Sequence, residues 1–358
     1  MKYSVGWLQD GEPRKEQLAV WERNLSAKVP VKQRFQWFYR DNPAGAGRLA
    51  LLEARDGDDA PAHVVGTAGH GMRLFQAGGS SVRRTLRAAL IADVAIDAAH
   101  RGAIPAIILT KEMRRFVLRE ADLAYGFPNR MAAPLVIKVG YRKLGETRRF
   151  ALAFRHQRLL QPRMSSPVAA RAAALLLDAA RACLVGARAV APLASYRLSW
   201  PTEVDDRFDR LWREAAPGYR FIGVRDAAFV RWRFLSPAAG PPLRLATMEH
   251  RRTGEIAGYA AFERDGTTVH LRDVFAKRDL LPSFLRLLSG AFWLRGASSI
   301  SIRLLGASAL AAALQEVGFR AREDKCTVVC SAGLASGADA EAFSDVDDWY
   351  LTDADEDA

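Results

Sequence analysis

Apolar residues fall in short blocks that end in charged turns, and the blocks come in pairs. LALLEARDG (from Leu49) is followed by HVVGTAGHGMRLF (from His63), and LRLATMEHR (from Leu243) by EIAGYAAFERDG (from Glu255). Such blocks of β-branched and alternating apolar positions, bounded by Gly and Asp, predict strand pairs. Each pair is followed by an apolar strand carrying one aspartate, AALIADVAI with Asp93 and VHLRDVFA with Asp273. A helix and another strand come next, ending in LAYGFP and in SISIRLL. This order predicts an α/β (α+β) fold: a mixed, mostly antiparallel sheet flanked by helices, with hairpins first and then a strand–helix–strand crossover.

The same landmarks therefore occur twice. Phe35, Trp37 and Phe38 precede Pro43 in the first half, and Phe229, Trp232 and Phe234 precede Pro237 in the second. Gly66 and Gly258 occupy matching places. Asn129 lies 36 residues after Asp93, and Ala307 lies 34 after Asp273. From each, eleven residues lead to a Gly-aromatic pair, Gly140-Tyr141 or Gly318-Phe319. Glycine there reads as a helix stop that turns the chain into the last strand of each copy. We divide the chain into a first copy, 1–155; an Ala-rich linker, 156–194; a second copy, 195–335; and an acidic tail, 336–358. The linker predicts one long helix. It reads as a connection packed between the copies or, alternatively, as an amphipathic helix on a membrane surface.

A length of 358 residues suits two cores, and 49% hydrophobic residues suffice to fill them. There is no charge-free stretch long enough to span a bilayer, and no signal-peptide pattern at the start, so the expected location is cytoplasmic. Cys183, Cys326 and Cys330 lack clustered partner ligands, so no metal is expected. The net charge of +12 favours anionic partners. The arginines are dispersed, however, and no RNA-binding signature accompanies them, so nucleic acid is not expected. The end of the chain reverses the sign: DVDDWYLTDADEDA has seven acidic residues in fourteen. It reads as a mobile tail, with Trp349, Tyr350 and Leu351 as a possible anchor.

Four segments, DVAIDAAHRGAIPAIILTKEM, LAYGFPN, NRMAAPLVIKVGY and EVGF, resemble the GCN5-related N-acetyltransferase family in a tandem form whose second copy is degenerate. The resemblance implies that acetyl-CoA, or another acyl-CoA, binds the first copy. Its diphosphate would lie on the helix start formed by Arg101, Gly102, Ala103, Ile104, Pro105 and Ala106, where free backbone N–H groups and the helix dipole attract anions. Ile104 stands where the family has a glycine, and Pro105 brings no N–H. The thioester would insert between a strand carrying Asp93, Val94, Ala95 and Ile96 and one carrying Tyr125, Gly126 and Phe127, with Asn129 opening the next helix. FAKRDLLPSFLRLL in the second copy lacks the loop pattern, so that copy is expected not to bind the cofactor.

Direct attack of an amine on the thioester needs a base and an acid. The family's tyrosine acid is replaced by Val136 and, in the second copy, by Leu314. Tyr125 and Tyr141 are the substitutes nearby, and Asp93 is the candidate base. Trp37, Tyr39, Arg40, Asn42 and Trp232 are candidate acceptor-binding residues. The expected function is N-acyl transfer, most simply N-acetyl transfer, to a small amine such as an amino sugar of a surface-polysaccharide pathway. The alternatives are an aminoacyl-tRNA-dependent, Fem-like transferase and a non-catalytic protein on the same fold.

Overall fold

The computed structural model describes residues 1–8, 12–26, 28–57, 59–78, 83–306, 309–332 and 345–357. Ala307 and positions 336–344 and 358 of the expected tail lie outside them. The strands are β1 Lys2–Trp7, β2 Arg48–Arg55, β3 His63–Ala77, β4 Arg84–Ile96, β5 Leu123–Gly126, β6 Arg142–Ala153, β7 Tyr196–Ser199, β8 Phe221–Gly223, β9 Arg244–His250, β10 Ile256–Asp265, β11 Thr268–Ala276, β12 Ser299–Leu305, β13 Arg320–Ala332 and β14 Trp349–Tyr350. The α-helices are α1 Lys15–Asn24, α2 Val31–Phe35, α3 Ala103–Glu120, α4 Ala133–Lys138, α5 Gln157–Leu160, α6 Pro167–Ser195, α7 Asp206–Ala215, α8 Ala227–Val230, α9 Leu281–Leu294 and α10 Ala309–Val317.

The strands form one continuous sheet in the order β1-β2-β3-β4-β5-β13-β6-β12-β11-β10-β9-β7, with β8 and β14 attached at its side. The repeat is visible in this order. β1 to β5 and β7, β9 to β12 run inward from opposite edges, and each half has one parallel pair, β4 with β5 and β11 with β12. The final strands are exchanged. β13, late in the second copy, pairs with β5 of the first, and β6 of the first copy pairs with β12 of the second. β6 and β13 pair with each other in the centre. The glycines before these strands, Gly140 and Gly318, sit at φ 104° and 107°, where a side chain is disfavoured, and each ends its helix.

Both aromatic landmarks become a short α-helix continued by a π-helical turn, Gln36–Arg40 and Arg231–Leu235. The two turns meet about a pseudo-twofold axis. Trp37 Nε1 donates to the carbonyl of Trp232 at 3.0 Å, Trp232 Nε1 donates to that of Trp37 at 3.0 Å, and the rings stack with centroids 4.9 Å apart. Trp232, one of the expected acceptor-binding residues, thus forms a joint between the copies. α6 lies along α9, and Arg188 donates to carbonyls at the end of α10, so the helix covers the second copy instead of filling the space between copies.

The described part of the acidic tail is the reverse of mobile. Residues Trp349–Asp355 are buried, and they cross both copies as a strap. The strap closes the second copy's crossover. Tyr350 donates to the carbonyl of Val274 on β11, Thr352 forms a bridge with Leu304 on β12, and Thr352 Oγ1 donates to Asp273 at 2.7 Å. Its carboxylates replace solvent around buried arginines. Asp355 accepts from Arg225 at 2.6 Å and from Arg73, on β3 of the first copy, at 2.9 Å. Asp353 pairs with Arg272 and Arg303. The error in the expectation is physical: acidic residues are solvated when unpaired, but here each meets a guanidinium that needs a counter-charge.

Burial would raise the Asp355 carboxyl, yet Arg225 and Arg73 hold it below the usual carboxylate range. Its contribution is therefore fully present above pH ~4 and is lost as pH falls through the depressed value. Glu356 behaves oppositely: burial lifts it to about 7, with Arg303 opposing and Asp353 and Asp357 adding to the rise. Folding stability drawn from Glu356 declines as pH rises from ~4 toward 7. We expect Asp355→Ala to cost about 3–5 kcal/mol, because two arginines lose their buried partner, measured as a fall in urea midpoint at constant slope. Glu356→Gln should flatten the decline in stability between pH 5 and 8; an unchanged slope would contradict this assignment.

Candidate active site

β4 and β5 pair in register from Ala88–Leu123 to Ile91–Gly126 and then part, because β5 ends while β4 runs on to Ile96. A cavity of about 350 Å³ opens where they separate. Its walls are Ile91, Ala92, Asp93 and Val94 of β4, Gly126 at the end of β5 with Phe127, Pro128 and Asn129 after it, and Thr110 and Met113 of α3. Ala132, Leu135 and Val136 around α4, together with Tyr141 and Trp37, complete the apolar surface. Ser26, Lys28, Arg34 and Asp357 add polar groups.

Asp93 owes its position to a β-bulge. Gly69 pairs with Ala92 and Thr67 with Ala95, so Asp93 and Val94 of β4 stand opposite Ala68 alone and β4 carries one extra residue. Asp93 has φ 51° and is the one non-glycine residue at positive φ among the described residues. Such a conformation costs of order 1–3 kcal/mol and persists where its surroundings hold it. Here Trp21 Nε1 donates to Thr67 Oγ1, and Thr67 Oγ1 donates to the carbonyl of Asp93, both at 2.9 Å. The carboxylate is equally engaged. Arg34 Nε donates to Oδ1 at 2.9 Å and Tyr39 OH to Oδ2 at 2.8 Å. Burial first, and Asp93 second, push the Tyr39 hydroxyl far above its ordinary value, so it stays a proton donor to Asp93.

Asp357 stands beside this pair, with its carboxylate 3.8 Å from Arg34. Burial and then repulsion from Asp93 raise its pKa, with Arg34 opposing. The strap thus delivers a carboxylate to the cavity from the far end of the sequence. Arg34, Lys28 and Asp357 were not among the expected site residues. No local pattern marks them, and contact across the fold alone brings them together.

The other expected residues separate into groups. Asp93, Val94, Phe127, Asn129, Tyr141 and Trp37 line the cavity. Asn129 accepts from the amides of Met131 and Ala132, which fixes the turn into α4. Ala95 and Ile96 pair with Thr67 and Gly66 on β3, away from the lining. Gly102 is the N-cap of α3; Ala103 and Ile104 open the helix without a side-chain cap, Ile104 is 69% exposed, Pro105 is buried and Ala106 bonds back to Gly102. Arg101 turns its guanidinium inward, to the carbonyl of Ile96 at 3.0 Å and Asn24 at 2.7 Å, and so braces the loop against α1.

Four of the expected residues lie outside the cavity lining. Tyr125 is fully buried and donates to the carbonyl of Asp355 at 3.1 Å, so its hydroxyl serves the strap and does not reach the cavity. Tyr39 reaches the site only through Asp93. Asn42 donates to Met72 and accepts from Ala44, which makes it a turn residue. Arg40 lies over the Phe35 ring at 5.1 Å, outside the cavity. In the second copy the strap occupies the place equivalent to the cavity. Asp273, the counterpart of Asp93, is fully buried there between Arg225, Tyr259 and Thr352.

A divided sheet with a cleft at the parting of its fourth and fifth strands, built twice, has the fold of the GCN5-related N-acetyltransferases in tandem. Solved structures agree. A GCN5-related N-acetyltransferase from Anabaena variabilis superposes over 92% of this chain and 73% of its own, with a TM-score of 0.60 at 13% identity. A tandem GNAT protein from the clavulanic acid biosynthesis pathway covers 92% of this chain and 98% of its own, with a TM-score of 0.50 at 14% identity. Saccharomyces cerevisiae N-myristoyltransferase, with bound myristoyl-CoA, covers 91% and 82%, with a TM-score of 0.51 at 9% identity. No family model matches the chain, and no curated protein matches it.

The bulge gives a direct test. Asparagine tolerates the left-handed region, so Asp93→Asn removes the charge and keeps the backbone. We expect a loss of about 3 kcal/mol in denaturant unfolding, since Arg34 is left without its close partner. A stability equal to wild type would show that the Arg34–Asp93 pair does not hold the bulge.

Proposed function

We propose that the chain is an acyl-CoA-dependent N-acyltransferase that moves an acetyl group to a small amine acceptor within the first copy. The observation that carries this reading is the open cleft between β4 and β5, beside the strap-filled equivalent in the second copy. The cleft is the right shape for a pantetheine arm: apolar along α3 and α4, with a β4 edge beyond Ile91 that lacks a β5 partner. Backbone amides at that edge are suited to hold a thioester carbonyl as negative charge develops on it. The uncapped start of α3 offers the amides of Ala103 and Ile104 to the diphosphate. Arg101 then acts by bracing this loop rather than by contacting phosphate.

Asp357 is the better base, because both oxygens of Asp93 already accept hydrogen bonds, whereas the Asp357 carboxylate lies 3.8 Å from Arg34, beyond hydrogen-bond distance. Asp357 takes one proton from the bound ammonium, the freed amine nitrogen attacks the carbonyl carbon, the C–S bond breaks, and the second proton lost by nitrogen replaces the one that the thiolate takes from Tyr141 to leave as the thiol. Tyr141 is the tyrosine that lines the cavity. Burial raises its hydroxyl, so it remains protonated and is placed to supply the thiol proton. The carboxylates favour a cationic primary amine as acceptor, and an amino sugar meets that description. No helix among the described residues is long and apolar enough to cross a membrane, and we place the reaction in the cytoplasm.

Acetyl-CoA should raise the melting temperature of the protein, whereas tRNA should not. Ala132→Trp, which fills the cleft from the turn before α4, should abolish that shift with the circular dichroism spectrum unchanged. A shift that survives the substitution would place the cofactor elsewhere. With an amine acceptor, thiol release by Asp357→Asn should fall at least about a hundredfold while acetyl-CoA affinity is retained, in keeping with general-base contributions. In the wild type kcat/KM should rise with pH through the elevated pKa of Asp357.

A further inference from the structure

A second cavity, of about 530 Å³, lies in the second copy and plays no part in the reading above. Its floor is aromatic and aliphatic. Trp200, Phe262 and Phe292 pack edge-to-face, with ring centroids 4.9–5.7 Å apart, and Leu243 extends the surface. Three arginines, Arg244, Arg264 and Arg295, stand among the lining residues, and no aspartate or glutamate does.

The arginines differ in what they have left to offer. Arg264 is committed to two turns, with donors on the carbonyl of Gly266 between β10 and β11 and on those of Arg295 and Gly296 after α9. Arg295 lies over the Trp200 ring at 4.2 Å and donates one Nη to Ala291, which leaves further N–H groups. Arg244 is exposed at the start of β9, and its guanidinium makes no hydrogen bond or ion pair to any described residue. Arg264 therefore shapes the rim, and Arg244 and Arg295 remain for a ligand. A further apolar group, Leu294, adjoins Arg295 and is 76% exposed.

The geometry points to a binding site for an amphipathic anion, an aliphatic chain ending in a carboxylate or phosphate. The chain would cover the aromatic floor, and the head group would take charge-assisted hydrogen bonds from Arg244 and Arg295. A cationic or neutral amphiphile satisfies the floor but leaves the guanidinium cluster without a counter-charge, so the site discriminates by the sign of the head group.

The test uses the full chain and isothermal titration with decanoate and decyl phosphate, both below their micelle concentrations, against decanol and decylammonium. The anions should bind, and the neutral and cationic chains should bind at least about tenfold more weakly. Arg244→Glu, an exposed substitution, should weaken the anions by at least about tenfold. Thr202→Trp, at an exposed lining position, should block them all. A parallel flotation assay with phosphatidylglycerol vesicles separates the sources. Arg244-dependent flotation without binding of free decanoate assigns the head group of a lipid, and binding of free decanoate without flotation assigns a soluble anion. Equal binding of decylammonium, indifference to both substitutions, or no binding by either probe overturns the proposal.

Discussion

The arrangement depends on buried arginines that must be neutralised. Arg225 is fully buried, lies between Asp273 and Asp355, and shares Asp355 with Arg73 of the other copy. A guanidinium removed from water without a partner would cost several kcal/mol. The acidic strap supplies the partners, and in doing so it joins the copies, fills the second cleft and carries Asp357 into the first. One electrostatic requirement thus produces an asymmetric pair of sites from a symmetric duplication.

Symmetry elsewhere is close. The Trp37 and Trp232 rings exchange hydrogen bonds with each other's backbone, and β6 and β13 cross to complete each other's half of the sheet. An exchange of final strands makes the two copies inseparable as folding units, since neither sequence block alone holds its own last strand. The asymmetry arises at the crossovers. In the first copy a strained aspartate, held by Tyr39, and Arg34 face an open space. In the second, Asp273 is enclosed by Arg225, Tyr259 and Thr352.

Much of the framework was legible in the sequence, because strand pairs, aspartate-bearing strands and Gly-aromatic helix stops repeat at fixed spacing. The splitting of β4 from β5 also followed from the resemblance of LAYGFPN and its neighbours. What stayed hidden depends on pairing across distance. Nothing in the alternation of β6 or β13 says which half of the sheet receives it. The strap's aspartates look solvated until the arginines they meet are known, and Arg34 is one of 52 basic residues until the fold sets it against Asp93. Tyr125 reads as a candidate acid and Tyr39 as a candidate acceptor-binding residue, but packing directs their hydroxyls into structural hydrogen bonds.

The central claim is that one cleft is open to an acyl carrier and the other is closed by the chain itself. Hydrogen–deuterium exchange with and without acetyl-CoA tests it most directly. The account predicts new protection confined to the β4 segment around Asp93, the start of α3 and the turn into α4, with β11, β12 and the strap already protected and unaltered. Protection gained at β11 and β12 with faster exchange in the strap would contradict it, as would a pattern with no change at β4.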